Sequence, residues 1–176
     1  MEDLRFPIGE FTMRDEYSED ETEHHIHVFQ TFPQQLIQYV RSLTDEQLNT
    51  PYRPGSWTIR ELVHHCADSH LNCILRFKWA LTENKPTIKT YDQDEFSTLK
   101  DYELPIEPSL LILEGLHARL SHILKEANLA QFNRTFYHPE WKREISVSQN
   151  IAHYAWHCSH HLAHIKFCIE KNGWIN

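Results

Sequence analysis

Between His153 and His164 the chain places five histidines, in the stretch HYAWHCSHHLAHI. Neutral imidazole is a ligand for borderline divalent cations, and it is also the side chain best suited to carry a proton near neutral pH. Spacing decides which of the five can act together. At about 100° per residue, His157 lies about 40°, His160 about 340°, His161 about 80° and His164 about 20° round the helix from His153. All five share one face. Tyr154, Cys158, Leu162, Ile165 and Ile169 fill the adjoining arc, which marks the buried side. His157 and His161 are therefore the inward pair, His161 nearest the core boundary, and their i, i+4 spacing lets both imidazoles meet at one ion. Alone, such a pair is more often two half-buried histidines on an amphipathic helix than a metal site.

A third ligand comes from IRELVHHCADSH, far up the chain. With Leu62 as the reference, Cys66, Cys73, Phe77 and Ala80 form the core stripe. His65 then lies about 60° from its centre, beside Ser69, and His64 about 160° away. His65 borders the core, and His64 is expected to face solvent or a partner chain. His70, on the other flank of the stripe, reads as a satisfied core histidine. Three imidazoles, His65, His157 and His161, suit one divalent ion per chain, Zn2+ or Ni2+. Three protein ligands leave a coordination position open, as in catalytic rather than structural sites, where the metal lowers the pKa of a bound water or thiol. Asp68, His153 and His164 are the groups that could support the ligands. Two other readings stand beside this one. A fourth side chain (His153, His164 or Cys168) could close the shell and leave a metal-binding protein without chemistry. The histidines could also be scaffold and bind nothing.

Long helices must position these groups. A first helix starts near Ser18, with acidic residues at its positive end, and Pro33 predicts a kink or break beside Phe32. TDEQL, from Thr44, reads as a short capped turn. The second long helix starts at Thr58, with Glu61 completing a capping box and Trp57 and Leu62 a hydrophobic staple, and runs to about Leu81. Residues 82–107 show no sustained period and read as a long loop. A third long helix runs from about Pro108 or Ser109 to Asn128, and a short hairpin is expected around Pro139 and Glu140. The fourth runs from about Ser148 to Asn172 and ends at Gly173. The fold expected is an all-α four-helix bundle with long interhelix connections. At 176 residues the chain is enough for one domain, residues 1–176, and short for two.

Composition narrows the partners. The net charge is −8 with His neutral and there is no Lys/Arg stripe, so nucleic acid is not an expected partner. No apolar run approaches the roughly 20 residues that span a bilayer, and the acidic start MEDLRFPIGEF has no secretory h-region; a cytoplasmic setting without membrane contact is expected. Cys66, Cys73, Cys158 and Cys168 form no CxxC pair and read as buried thiols acting as small hydrophobes.

FPIGEF, YRPGSWTIRELVHHCADSH, RTFYHPEW and HYAWHCSHHLAHI together resemble the DinB-like superfamily, and within it the YfiT or bacillithiol transferase group. The resemblance runs from about Phe6 to near the C-terminus. It implies a four-helix bundle, a homodimer, and one divalent metal on His65, His157 and His161. It implies a metal-dependent hydrolase, or alternatively an S-transferase that joins a low-molecular-weight thiol such as bacillithiol to an electrophile. The loop at 82–107 and the segment from Arg53 to Trp57 are then natural walls for a small-molecule substrate. Arg53, Trp57, Arg60, Arg76 and Tyr91 are candidate substrate contacts, the arginines because a thiol with carboxylates needs a cation nearby.

Overall fold

The computed structural model describes residues 4–174. Four long helices carry the fold: α1 (Glu19–Val40), α3 (Ile59–Thr82), α5 (Glu107–Lys125) and α7 (Val147–Asn172). Short elements sit between them: α2 (Asp45–Leu48), α4 (Gln93–Ser97), a 3-10 turn (Lys100–Glu103), α6 (Leu129–Phe132), and a hairpin of β1 (Thr135–His138) and β2 (Arg143–Ser146). Reciprocal capping boxes start α1 (Ser18 and Glu21), α3 (Thr58 and Glu61) and α7 (Ser146 and Gln149), each satisfying backbone donors that the first turn leaves free. Gly173 ends α7 at φ 67°, a conformation that costs glycine nothing.

Both α5 and α7 pack against α1 and α3. The consecutive helices α1 and α3 therefore face each other across the bundle diagonal, and so do α5 and α7. Long connections make such crossings, where an up-down-up-down bundle would use short ones. Leu36, Val40, Ile59, Leu62, Val63, Leu113, Leu120, Phe136, Ile145 and Ile165 are fully buried and fill the centre.

Several expectations are corrected. Helix α1 continues through Pro33 without a break. The lost backbone donor is compensated from outside the helix, as described below. The segment 82–107 is not a bare loop: it holds α4 and the 3-10 turn, and it is pinned by a bridge between Thr87 and Tyr137, with Ile88 N–H donating to the Tyr137 carbonyl at 3.1 Å. Helix α5 ends at Lys125, because Asn128 caps α6 instead. The hairpin forms where expected, pairing Phe136 with Ile145 and His138 with Arg143.

Candidate metal centre

His65 on α3 and His157 and His161 on α7 come together at the interface of these helices, all buried. The Nε2 atom of His157 lies 3.3 Å from Nε2 of His65 and 3.1 Å from Nε2 of His161. Ligands about 2.05 Å from a tetrahedral centre stand about 3.3 Å apart, so the three nitrogens are spaced as one zinc-like ion requires. Burial lowers the pKa of His65 to about 4 and those of His157 and His161 well below the ordinary histidine value, the two on α7 lowered further by neighbouring histidines. The imidazoles are neutral near pH 7, which keeps lone pairs available.

The protein fixes which nitrogen of His157 carries the proton. Nδ1 of His157 lies 3.2 Å from Nε2 of His70; Nδ1 of His70 lies 2.6 Å from Nε2 of His117; and Nδ1 of His117 lies 2.6 Å from the carbonyl oxygen of Phe29. A carbonyl can only accept, so His117 donates from Nδ1 and its Nε2 accepts. His70 must then donate from Nδ1, and His157 must donate from Nδ1 to His70. The lone pair of His157 is left on Nε2, facing His65 and His161. This chain crosses all four long helices, from α7 through α3 and α5 to α1. The Phe29 carbonyl is free for it because Pro33, four residues on, has no N–H to give. Nδ1 of His65 and of His161 is buried without a protein partner, so of the three histidines His157 is the one whose tautomer the fold dictates.

The other predicted groups fall as follows. Asp68 does not support His65; its carboxylate accepts from the Tyr102 hydroxyl at 2.8 Å. His164 donates from Nε2 toward the carbonyls of Leu4 and Arg5, both at 3.2 Å, and stacks on Tyr52. With His160 and His161 it forms a second group of converging nitrogens, all on α7. His153 packs edge-on against Trp141 and makes no hydrogen bond through its buried Nδ1. Cys168 stands apart, beside the Pro51 carbonyl, and all four thiols are buried and free.

Trp57 packs its ring 4.5 Å from that of His65 and shields it. Arg53 lies over Tyr52, and Tyr91 is half-buried against Phe96. Arg60 is not free for a substrate: it bonds Asn49 at 2.9 Å, the Leu104 carbonyl at 3.0 Å and Asp45 at 2.7 Å, and so ties α2 and the 3-10 turn to α3. His64 is also corrected. It is buried, bonded to Ser109 at 2.7 Å and to the Leu104 carbonyl at 3.1 Å, because α5 and the preceding turn cover a face of α3 that a single-stripe reading leaves open. His70 and His117 escaped sequence reasoning as site residues; a proline four residues after a buried carbonyl was the only local signal. A cavity of about 690 Å³ lies elsewhere, between α1 and the α5–α6 corner, lined by Thr22, Ile26, Leu124 and Phe132. Volume and ligand chemistry thus point to different places, and the histidine group is the one with the spacing to hold a metal ion.

The DinB superfamily model matches residues 29–165. A relative from Bacillus cereus (strain 03BB102), named "Putative metal-dependent hydrolase", is 42% identical over 174 residues, spanning 99% of this chain and 100% of the relative. One of the same description from Oceanobacillus iheyensis is 44% identical over 170 residues, 97% of this chain and 98% of its own. Among solved structures, YfiT from Bacillus subtilis, described as "a probable metal-dependent hydrolase with an unusual four-helix bundle topology", superimposes with a TM-score of 0.94 at 42% identity, covering 98% of this chain and 99% of that one. With a family model over most of its length and relatives that match it end to end, the chain belongs to the DinB superfamily.

Proposed function

We propose that the protein is a metal-dependent hydrolase in which His65, His157 and His161 hold one divalent ion, Zn2+ or Ni2+. The convergence of three buried, neutral Nε2 atoms from two helices, with no fourth His, Cys, Asp or Glu side chain joining all three among the described residues, carries this reading. A divalent ion held there supplies a lowered pKa for water or thiol and a positive charge to polarise a substrate carbonyl. The chain's own residues do the rest. The His157–His70–His117 chain keeps the ligand lone pair aimed, Trp57 limits water at His65, and the Ser69 hydroxyl, 3.5 Å from Nε2 of His157, offers a hydrogen bond at the rim.

A second reading, transfer of a low-molecular-weight thiol to an electrophile, is favoured by one observation. No carboxylate joins the triad, and Asp68 is held by Tyr102, so the described residues offer no acidic side chain to take a proton from water. A thiol, with an ordinary pKa near 8.5, needs less help. The two readings separate when metal-replete protein is offered esters and amides alone, then electrophiles with several thiols. Thiol-independent hydrolysis supports the first reading. Conjugation confined to one thiol, without hydrolysis, overturns it. Protein that retains no metal after purification without chelator overturns both.

The reading extends to a small-molecule substrate, a homodimer and a cytoplasmic setting. Leu71 and Leu75 on α3 and Leu111 and Ile112 on the adjacent α5 are exposed apolar side chains, a face suited to a second copy. No helix among the described residues is long and apolar enough to cross a membrane.

A further inference from the structure

His157 and His161 leave other histidines of α7 without a task. His160 and His164 stand one turn apart on the helix, and His161 lies beside both. One ring nitrogen from each of His160, His161 and His164 lies within 4.8 Å of the other two. The three residues are 7%, 7% and 3% exposed. Nδ1 of every one of them is buried and has no hydrogen-bond partner. A buried polar atom left unmatched costs free energy, so three in one cluster call for a shared partner.

The surroundings fix these rings. His164 donates from Nε2 to the carbonyls of Leu4 and Arg5, each at 3.2 Å, so its lone pair sits on Nδ1. Its ring stacks on Tyr52 with centroids 4.2 Å apart, and the ring of His160 stacks on Trp156 at 4.4 Å, with Phe6 at 5.9 Å. His161 turns Nε2 toward His157 at 3.1 Å, which leaves Nδ1 for the other edge of its ring. Burial lowers the pKa of His160 to about 3 and that of His164 to about 4, so both imidazoles are neutral near pH 7. Neutral imidazoles without a carboxylate suit a borderline cation such as Zn2+, and not Mg2+ or Ca2+.

We propose that His160, His161 and His164 form a second site for a borderline divalent cation, which shares the ring of His161 with the first. It goes beyond the single-ion reading of the triad, and needs that reading only for the sharing of His161. With Nε2 of His161 on the first ion, Nδ1 carries the ring proton. The second ion takes the place of that proton, which passes to solvent and leaves His161 as an imidazolate between two cations. Giving up the proton makes this the weaker site, filled only by metal added beyond one equivalent.

The test dialyses metal-free full-length protein to equilibrium against Zn2+ at rising concentration and counts bound zinc per chain. The unaltered protein should bind one ion tightly and a second at higher concentration. His160→Phe and His164→Phe keep the stacking on Trp156 and Tyr52, and each should retain the first ion and lose the second. A single ion that neither substitution removes, or a second ion that survives both, overturns the site. Failure of the triad looks different: a single ion then persists in His65→Ala and disappears in His164→Phe, which supports the second site alone. A single ion lost in both of those variants overturns the second site as a separate one, and protein that binds no zinc overturns both sites. If the phenylalanine variants do not fold, cadmium NMR of the unaltered protein decides. Two cadmium signals, both coupled to ring nitrogens of His161, support the site; a single signal, or a second one without that coupling, overturns it.

Discussion

The carbonyl oxygen of Phe29 accepts a hydrogen bond from Nδ1 of His117 at 2.6 Å, and the two rings stack with centroids 3.8 Å apart. This contact, on the far side of the bundle from His65, is the end of the chain that leaves Nε2 of His157 with its lone pair. It ties the tautomer of His157 to the whole core. Replacing His117 by Phe should preserve the stacking volume while breaking the chain, and should weaken metal binding about 10- to 100-fold, the range typical for loss of a group that orients a ligand. Competition with a chromophoric chelator measures this. Unchanged affinity in folded His117→Phe would remove His70 and His117 from the site.

The ligand assignment separates neighbours on one helix. His157→Ala should lose the metal, because His65 and His161 alone leave two nitrogens on the ion. His153→Ala should keep it, since its ring stands 6.3 Å from that of His157 and lies outside the converging group. Elemental analysis of the two variants, each checked for native helicity, decides the point. Normal metal content in His157→Ala would sink the triad.

Much of this was legible in the sequence for a physical reason. Helical rotation is fixed by the backbone, so the face shared by His157 and His161, and the place of His65 beside the core stripe, could be computed without coordinates. The capping boxes at Thr44 and Thr58 announce helix starts because their hydrogen bonds are local. What failed depended on tertiary contacts. His64 was assigned to the outside because nothing local shows that Ser109 and Leu104 close over it. Arg60 passed as a substrate contact because its partners, Asn49, Asp45 and Leu104, come from separate elements.

That Arg60 clamp predicts a stability effect without a functional one. Arg60→Met removes one of the two bonds to the Leu104 carbonyl, which keeps its bond from His64, and the bonds that hold α2. The loss should be about 0.5–1.5 kcal/mol, the usual net contribution of a hydrogen bond whose acceptor keeps another partner. The Asp45 end is exposed and adds little. The urea midpoint should fall while metal content stays normal. A variant as stable as the parent would show that the clamp is dispensable.

Acid should unfold the protein before carboxylates titrate. Burial lowers the folded pKa of both His117 and His153 to about 4, His153 being lowered further by the Arg76 charge and His117 held up somewhat by the Phe29 carbonyl. The unfolded chain takes up these protons near pH 6.5, so it binds more protons than the folded state between those values. Stability is therefore complete above about pH 6.5 and is lost as pH falls toward about 4, with each such imidazole contributing up to about 1.4 kcal/mol per pH unit. The urea midpoint of metal-free protein should fall steadily between about pH 7 and pH 5. A flat profile over that range would contradict burial of the neutral imidazoles.

Pro33 offers the sharpest separation of stability from site geometry. A proline inside a helix removes one backbone bond, and its ring pushes the carbonyl four residues back away from the axis. Here that carbonyl belongs to Phe29, and the displaced oxygen meets His117. Pro33→Ala restores an N–H at position 33, which draws the Phe29 oxygen back toward the helix axis. Helix α1 should then be at least as stable, because alanine favours a helix interior and proline does not. The His117 contact should lengthen, the tautomer of His157 should be held less firmly, and metal affinity should drop. The expected pattern is an unchanged or raised urea midpoint together with weaker metal binding. A shift of the His117 Nδ1–H resonance toward weaker hydrogen bonding should accompany it. If affinity and that resonance both stay where they are, Pro33 is only a tolerated irregularity, and the core histidine chain does not depend on it.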